Sequence, residues 1–231
     1  MKKLVVLTGA GISAESGLKT FRDSDGLWEN HKIEDVATPE GWHKNPELVL
    51  QFYNERRAKA FEAQPNAGHQ ALAELEKYFD VNIITQNVDN LHEKAGSTQV
   101  LHLHGELSKV RSIKNEKLIK DIGGDAIYWG DLGEDGHQLR PHIVWFGEMV
   151  PMIEPAAKIA ADADVFVVVG TSLQVYPAAG LIHYVGSHAA KFLVDPYIPE
   201  ASSNHNNISF ITETATVGVP QLAQLLIREY A

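Results

Sequence analysis

Two features of the sequence could carry chemistry, a glycine-rich turn near the N-terminus and a histidine after an apolar run. The turn, Gly9-Ala10-Gly11-Ile12-Ser13-Ala14, satisfies the pattern G-x-G-x-x-G/A directly after the apolar residues 4–7. Glycines there let the backbone bend sharply and approach a pyrophosphate, and a following helix offers unpaired N–H groups. The pattern also suits a strand-to-helix turn that binds no ligand, so alone it leaves both interpretations open.

The histidine, His104, follows the apolar residues 100–103. A histidine suits general-base catalysis because its ordinary pKa of about 6.5 lies near working pH. Open α/β sheets bind their ligands beyond the carboxyl ends of the strands, which is where this residue would lie. A histidine at a strand end is more often a hydrogen-bonded structural residue, and the chain has 11 histidines. His104 by itself therefore leaves catalysis and structure as alternatives.

Polar residues follow two further apolar runs. Gln86, Asn87 and Asp89 come after residues 81–84, and amides can both donate to and accept from ribose hydroxyls. The same residues could form a capping turn for the next helix, and the two roles are compatible. Gly170-Thr171-Ser172 ends the most hydrophobic run, and hydroxyls beside a glycine can bind phosphate or ribose oxygens.

The elements that must position these residues alternate along the chain. Short apolar runs typical of parallel strands buried on both faces occupy residues 4–7, 81–84, 100–103, 143–146, 165–169 and 192–194. Helical patterns lie between them at residues 67–78 and 155–163, near the C-terminus, and after Asn45-Pro46, which is typical of an N-cap and first helical position. The pattern predicts an α/β fold with a doubly wound parallel sheet, Rossmann-like in type.

A polar, glycine-rich stretch from about residue 109 to 140 interrupts this alternation and predicts a small inserted subdomain. We therefore expect one catalytic domain over residues 1–231. Its Rossmann-like core comprises roughly residues 1–30, 80–108 and 141–231, and the small subdomain roughly residues 31–79 and 109–140.

Composition narrows the function classes. The formal net charge is −10 and no run of five or six like charges occurs, so we expect no nucleic-acid partner. Cysteine is absent, which excludes disulfides and thiolate chemistry. The first apolar run is too short for a signal peptide and no stretch approaches a membrane span. These observations predict a cytoplasmic protein without a membrane partner, and we expect a monomer.

A dehydrogenase would carry an acidic residue about 20 positions after the glycines, at the end of a second strand. Glu29, Glu34 and Asp35 have suitable spacing, but they lie in the polar stretch 21–39, which reads as a loop. This counts against hydride transfer.

The residues after the glycines are more distinctive. Ser13-Ala14-Glu15-Ser16-Gly17 leads to Thr20-Phe21-Arg22-Asp23 and Gly26-Leu27-Trp28. Four motifs follow in order: Thr85-Gln86-Asn87-Val88-Asp89, Leu103-His104-Gly105-Glu106-Leu107, Arg140-Pro141 before Val144-Trp145-Phe146-Gly147-Glu148, and Gly170-Thr171-Ser172-Leu173. This series resembles the sirtuins, NAD-dependent protein deacylases, over nearly the whole chain.

The resemblance implies that NAD is the co-substrate and that nicotinamide and O-acyl-ADP-ribose are products. His104 matches the family's catalytic base, and the resemblance implies that Asn87 is a catalytic residue as well. The residues it implies for NAD binding are Gly9, Ala10, Gly11, Ser13, Ala14, Glu15, Thr20, Phe21, Arg22, Trp28, Gln86, Asn87, Asp89, Gly170, Thr171 and Ser172. Val194, Asp195 and Ala215 are expected at the adenosine, although the family usually has an asparagine near Val194 or Asp195.

Tyr53 and Arg56 are three residues apart on a predicted helix, so their side chains share a face. This pair resembles the acyl pocket of class III sirtuins, which remove succinyl and malonyl groups, and Ala37 matches a small residue that widens the pocket. An arginine can bind a carboxylate bidentately and a tyrosine can add a third hydrogen bond. Alternatively, Arg56 belongs to a solvated basic face with Arg57 and Lys59. Acetyl-lysine should also fit.

The family's cleft implies that the acylated-lysine protein binds as an extended strand, and such binding relies on backbone hydrogen bonds. Its walls here would be Val144, Phe146, Gly147 and Glu148 on one side and Leu173 and Val175 on the other. Most sirtuins also carry four zinc-binding cysteines in the small subdomain, and this chain has none. We expect no zinc and an apolar substitute built from Ile127, Tyr128, Trp129, Leu132 and Leu139.

Other functions on the same fold remain as alternatives. An NAD glycohydrolase or an ADP-ribosyltransferase would share the nucleotide residues but would have no use for Tyr53 and Arg56. A non-catalytic module that binds NAD or ADP-ribose would have no use for His104 beside Asn87.

Overall fold

The structure is a computed structural model that describes residues 1–19, 27–28 (backbone only), 30–171, 176–197 and 207–231. In chain order the strands are β1 Lys3–Thr8, β2 Leu27–Trp28, β3 His31–Lys32, β4 Asp80–Thr85, β5 Val100–His102, β6 Gly105–Ser112, β7 Ile119–Asp121, β8 Leu139–Ile143, β9 Val165–Val169, β10 Ala190–Val194 and β11 Ile208–Ile211. The α-helices are α1 Gly11–Ala14, α2 Ile33–Val36, α3 Pro39–Lys44, α4 Pro46–Glu62, α5 Ala67–Glu74, α6 Leu91–Ala95, α7 Ile153–Ala161 and α8 Ala215–Tyr230. Two 3-10 helices span Leu75–Lys77 and Ala178–Tyr184.

Six strands form a parallel sheet in the order β11-β10-β9-β1-β4-β5. The chain begins in the middle with β1, moves outward through β4 and β5, and returns to β9 on the other side of β1. The strand order therefore reverses between β1 and β9, which is the switch point where doubly wound sheets bind ligands. The predicted α/β class with a Rossmann-like parallel sheet is confirmed.

Alternate residues of the central strand serve two separate cores. Leu4 and Val6 pack in one apolar cluster with α5 and α8, while Val5 and Leu7 pack in a second with α7 and the later 3-10 helix. All four side chains are fully buried. Burial on both faces explains why the strands read as continuous apolar runs rather than alternating ones.

Helix α4 begins as predicted, because Asn45 Oδ1 accepts a hydrogen bond from Leu48 N at 3.1 Å and Pro46 occupies the first turn. Its inner face, including Phe52 and Tyr53, packs in a third apolar cluster with Leu107 of β6 and other residues of the small sheet. The small sheet is antiparallel in the order β7-β6-β8.

Several predicted elements are wrong in detail. Residues 143–146 are not a strand of the parallel sheet: β8 ends at Ile143 and pairs antiparallel with β6, and the chain then turns at Gly147, whose φ is +88°. An apolar run does not encode its pairing partner, so this difference was invisible in the sequence. Residues 33–36 are helical rather than loop, helix α5 ends at Glu74 before a 3-10 turn, and α7 begins two residues earlier than expected.

The predicted apolar substitute for zinc forms only in part. Ile127 and Leu139 are buried, whereas Tyr128, Trp129 and Leu132 are more than half exposed. Within the described ranges no three histidine, aspartate or glutamate side chains lie close enough to hold a metal ion, and cysteine is absent from the chain, so the small sheet does not fit a zinc cluster. Among the described helices, none is long and apolar enough to cross a membrane.

A buried arginine links α4 to the small sheet instead. Arg57 is 1% exposed, and its guanidinium donates to Leu107 O at 2.6 Å, Asp125 O at 3.2 Å and Asn54 Oδ1 at 2.7 Å. Asn54 in turn exchanges hydrogen bonds with both backbone groups of Ile127. Burial lowers the pKa of Arg57 to about 10, which still leaves it charged near neutral pH. The expectation that Arg57 could lie on a solvated face is therefore wrong.

Candidate active site

A cavity of about 880 Å³ opens at the carboxyl ends of β1, β4, β9 and β10, at the switch point of the sheet. Ligand sites in proteins are typically roughly 300–1,000 Å³. The described site residues that the sequence predicted all line this one cavity: Gly9, Ala10, Gly11, Ser13, Ala14, Glu15, Ala37, Tyr53, Arg56, Gln86, Asn87, Asp89, His104, Val144, Phe146, Gly147, Glu148, Gly170, Thr171, Val194, Asp195 and Ala215.

The remaining predicted residues lie outside the part of the chain that the structure describes. These are Thr20, Phe21, Arg22, Ser172, Leu173 and Val175, together with the side chain of Trp28.

Close packing of two backbone segments explains why the turn after β1 contains glycines, and the sequence did not indicate this packing. Gly9 N donates to Val169 O at 3.0 Å and Gly11 N donates to Gly170 O at 2.9 Å, so the turns after β1 and β9 pack directly on each other. A Cβ atom on Gly11 would lie 2.6 Å from Gly170 Cα. Helix α1 has only four residues. The two glycine N–H groups are thus used within the protein, and the turn contributes close packing at the floor of the cavity.

Three polar side chains at the end of β1 and β4 form one hydrogen-bonded group. Asn87 Nδ2 donates to Ser13 Oγ at 3.1 Å, and Ser13 Oγ donates to Asp89 Oδ2 at 3.1 Å. Asp89 Oδ1 also accepts from Leu91 N at the start of α6, so the capping turn and the polar cluster coexist. Burial raises the pKa of Asp89, although its hydrogen bonds act in the opposite direction.

Asn87 is also held through its backbone. Its N–H donates to Thr85 Oγ1 at 3.0 Å, and its carbonyl accepts from His102 Nδ1 at 2.9 Å. His102 Nε2 pairs with Glu93 at 2.8 Å. Burial disfavours the charged ring, but the hydrogen bond and charge of Glu93 outweigh it, so the pKa of His102 is raised. The backbone N–H and the backbone carbonyl of Asn87 are therefore both fixed before any ligand binds.

Buried groups below the site support Thr85. Thr8 Oγ1 donates to Thr85 Oγ1 at 2.8 Å and contacts His92 Nε2 at 3.0 Å, and His92 packs edge-on against His69. Burial lowers the pKa of both histidines, that of His69 to about 4, so both are neutral near pH 7. These supporting residues were not predicted from the sequence, where the one available signal was a threonine at the end of each of two apolar strands.

His104 is oriented by one hydrogen bond, from its Nδ1 to the backbone oxygen of Gln86 at 3.0 Å. A carbonyl oxygen only accepts, so Nδ1 carries the proton of the neutral ring and Nε2 keeps its lone pair. Burial lowers the pKa of His104, and the bond to Gln86 offsets part of this effect. Nε2 can therefore take a proton at neutral pH.

Tyr53, Arg56 and Ala37 also line the cavity. The Arg56 guanidinium carbon lies 5.6 Å from the Phe52 ring centroid and 6.0 Å from that of Tyr53. Burial raises the pKa of Tyr53 to about 12, so its hydroxyl keeps its proton. The two residues share a face as predicted, and Arg57 points away from it toward the small sheet.

Two acidic residues of the cavity wall accept hydrogen bonds from other residues of the protein. Glu148 accepts two hydrogen bonds from Arg140, at 2.7 and 3.1 Å, and one from Trp145 N at 2.8 Å. Glu15 accepts from the N–H and hydroxyl of Thr216 at the start of α8. The pKa of each carboxyl is lowered by these hydrogen bonds, although burial acts the other way. Both glutamates hold elements of the cavity together.

The donor set fits a dinucleotide. Amides and hydroxyls of Gln86, Asn87, Ser13 and Thr171 occupy one part of the wall, where they can pair with ribose hydroxyls, and the cavity continues along β10 to Asp195. The cavity lies at the switch point of the sheet, where such folds bind ligands. His104, with its available Nε2, adds an acid–base group to the cavity wall. The fold and the site define an α/β enzyme of the dinucleotide-binding class.

Comparison with known proteins gives the family. The model of the Sir2 family matches residues 9–177. An NAD-dependent protein deacylase of Bacteroides thetaiotaomicron is 54% identical over 98% of this chain and 99% of its own length. A Sir2 homologue solved as an NAD complex is 40% identical, with a TM-score of 0.87 over 100% of this chain and 91% of that one. A Sir2 protein solved with a deacetylated p53 peptide and 3′-O-acetyl ADP-ribose is 27% identical, with a TM-score of 0.77 over 98% and 93%. The chain belongs to the Sir2 family.

Proposed function

We propose that this enzyme, an NAD-dependent protein deacylase of the Sir2 family, prefers lysines that carry succinyl or malonyl groups and also accepts acetyl-lysine. The observation that carries the acyl preference is the position of Tyr53 and Arg56 in the same cavity as His104 and the glycine turn. One chamber is therefore lined by a base, a cation and a neutral phenol.

The chemistry of Arg56 and Tyr53 suits a carboxylate. A guanidinium binds a carboxylate with two charge-assisted hydrogen bonds, and the protonated Tyr53 hydroxyl adds a further donor. The formal charge of the whole protein is −10, so Arg56 reverses the sign of the local potential for an anionic acyl chain. An acetyl group would enter the same chamber without hydrogen-bonding to Arg56 or Tyr53.

The NAD molecule would lie along the glycine turn, with Gln86, Asn87 and Asp89 at the nicotinamide ribose and Thr171, Val194, Asp195 and Ala215 toward the adenosine. When bound, NAD would supply the glycosidic bond whose cleavage releases nicotinamide and lets the acyl oxygen attack the ribose carbon that carried it. His104 Nε2 would accept the proton of a ribose hydroxyl, and the Asn87 side chain would be kept in place by Ser13.

The protein substrate would bind as a strand against residues 144–148. Most N–H groups of this segment are already used: Val144 N donates to His104 O, Trp145 N to Glu148, Phe146 N to Ala37 O and Glu148 N to Trp145 O. The pairing would therefore use the Gly147 N–H and the outward backbone carbonyls. Backbone pairing of this kind discriminates weakly among substrate sequences.

Exchange of the pocket arginine tests the acyl preference. Arg56→Met should lower the ratio of kcat/KM for succinyl-lysine over acetyl-lysine peptide at least about tenfold, because hydrogen bonds to a charged group contribute about 1.5–3 kcal/mol. The same change at an exposed site, Arg228→Met, should leave the ratio within about twofold. The assay follows free nicotinamide and deacylated peptide together.

Each other outcome of that assay has a definite meaning. An unchanged ratio in Arg56→Met would contradict the acidic-acyl preference. Nicotinamide released without an equal amount of deacylated peptide would indicate an NAD glycohydrolase or an ADP-ribosyltransferase. Binding of NAD with no nicotinamide release would indicate a non-catalytic module.

The pH profile tests His104 as the base. Because the pKa of its buried ring is lowered, the neutral form persists below pH 6.5, and the acid limb of kcat/KM should lie below that value. Acetyl-lysine and succinyl-lysine peptides should give acid limbs at the same pH. The acetyl group carries no carboxylate, so a limb that both peptides share comes from the enzyme and not from titration of the acyl chain. A limb at or above pH 6.5 with both peptides would contradict this assignment.

A further inference from the structure

A chain of hydrogen bonds leads from a buried histidine to the peptide group that orients His104. His92 is 1% exposed, lies outside the cavity and contacts Thr8 Oγ1 through its Nε2 at 3.0 Å. Thr8 Oγ1 donates to Thr85 Oγ1 at 2.8 Å, and Thr85 Oγ1 also accepts the backbone N–H of Asn87 at 3.0 Å. Both threonines are fully buried. The chain is therefore shielded from water along its length.

The direction of these hydrogen bonds fixes the tautomer of His92. The Thr8 hydroxyl has one proton, which it gives to Thr85, so its oxygen accepts from the Nε2–H of His92. Nδ1 of the same ring has no hydrogen-bond partner among the described residues, and this tautomer leaves a lone pair there rather than a buried N–H. Burial lowers the pKa of His92 well below its usual value, so the ring is neutral near pH 7.

The chain ends at one rigid group of the backbone. The N–H of Asn87 and the carbonyl of Gln86 belong to the same peptide bond, which is planar. The Gln86 carbonyl accepts the hydrogen bond from His104 Nδ1 at 3.0 Å that leaves the lone pair on His104 Nε2. A rotation of this peptide plane away from Thr85 would therefore also turn the carbonyl away from His104.

We propose that His92 is a positioning residue for the reaction, which acts through this hydrogen-bonded chain to hold His104 in its proton-accepting tautomer. The inference rests on the proposed role of His104 as the base. Hydrogen bonds in series polarise one another, so loss of the first donor weakens the bonds that follow it. Because His92 lies outside the cavity, it acts on the base without contacting substrate.

Removal of either end of the chain tests the proposal. With an acetyl-lysine peptide, Thr8→Val and His92→Phe should each lower kcat about tenfold, because each leaves a buried donor or acceptor unpaired. KM for NAD and the affinity for ADP-ribose should stay within about twofold, since neither side chain lines the cavity. Thr8→Ser and His92→Gln, which restore a hydroxyl and a terminal N–H donor, should recover most of the rate. Thr98→Val is the matched control, because it removes an exposed hydroxyl bond of 2.8 Å to Glu76, and it should leave kcat unchanged.

The rates separate this inference from the proposed function. If His104→Ala retains near-normal turnover, both the base assignment and the role of His92 are wrong. If His104→Ala is inactive while Thr8→Val and His92→Phe keep kcat within twofold, only the role of His92 is wrong. Equal losses in the removing and the restoring variants would indicate packing at these positions and would also overturn the inference. The double variant Thr8→Val/His92→Phe should be no slower than Thr8→Val, because both changes break one chain, and additive losses would contradict it.

The histidine tautomers give a readout that depends neither on activity nor on the stability of a variant. Long-range ¹H–¹⁵N spectra of the unmodified protein near pH 7 should show His92 protonated at Nε2 and His104 at Nδ1. The variants His92→Gln and His104→Ala identify these two signals among the 11 histidines. In Thr8→Val the His104 signal should shift toward a mixture of the two tautomers. An Nδ1–H tautomer at His92, or an unchanged His104 signal in Thr8→Val, would refute the proposal.

Discussion

His104→Ala should lower the rate of lysine deacylation by about 10²- to 10⁴-fold, the range typical for loss of a general acid–base group. The hydrogen bond from Nδ1 to Gln86 O leaves Nε2 as the lone-pair nitrogen, and burial keeps the ring neutral at working pH. The alanine variant removes that proton acceptor while the backbone of the cavity floor stays in place. Steady-state kinetics with NAD and a succinyl-lysine peptide would measure the loss.

The control for this variant is an exposed histidine on helix α3. His43→Ala should retain deacylation within about twofold, since His43 lies outside the cavity. Thermal unfolding and NAD affinity of His104→Ala should remain close to those of the unmodified protein, which separates a chemical loss from a folding defect. Near-normal turnover in His104→Ala would refute the assignment of this residue as the base.

Arg57→Met should destabilise the fold by about 2–4 kcal/mol and lower the unfolding temperature by about 5–15 °C. Three acceptors, Leu107 O, Asp125 O and Asn54 Oδ1, lose a charged donor, and hydrogen bonds to charged groups contribute about 1.5–3 kcal/mol each. Removing a buried cation offsets part of that loss, because its desolvation is costly. The net effect remains unfavourable because the buried Leu107 O loses its charged donor and the link between α4 and the small sheet is broken, although Asn54 Oδ1 keeps its bond from Ile127 N.

Two further variants make this prediction specific. Arg57→Lys keeps the charge but replaces a planar fork by a single ammonium group, so it should lie between the methionine variant and the unmodified protein. Arg228→Met, an exposed change of the same kind, should alter stability by less than about 0.5 kcal/mol. Equal stability of Arg57→Met and Arg228→Met would show that Arg57 does not anchor the small sheet.

The sheet and the cavity could be predicted because their signals are local. A buried parallel strand is a continuous apolar run, and residues that line the cavity come directly after such runs, as Gln86 and His104 do. The partner of a strand is not local, which is why residues 143–146 were assigned to the wrong sheet. The positions of Leu173 and Val175 remain predictions, because these residues lie outside the described ranges.

Sequence spacing alone could not distinguish the roles of neighbouring charged residues. Arg56 and Arg57 are adjacent on α4, and one lines the cavity while the other is buried against the small sheet. Glu148 lines the cavity, its contact with substrate stays a prediction, and the structure adds that its carboxylate is bound by Arg140. Trp145 looked like an ordinary apolar residue of a strand. In the fold its indole packs against Trp42 and under the Arg140 guanidinium, contacts that depend on distant segments of the chain.

The amino-acid sequence by itself determined the class of fold, the order of the turns that line the cavity and the presence of a histidine among them, because hydrophobic periodicity and strand-end residues are properties of short segments. Only the tertiary structure decided which donors remain available inside the cavity and which are consumed in holding it together. Hydrogen-bond satisfaction is a property of contacts between distant segments, such as α4 with β6, and no local pattern encodes it.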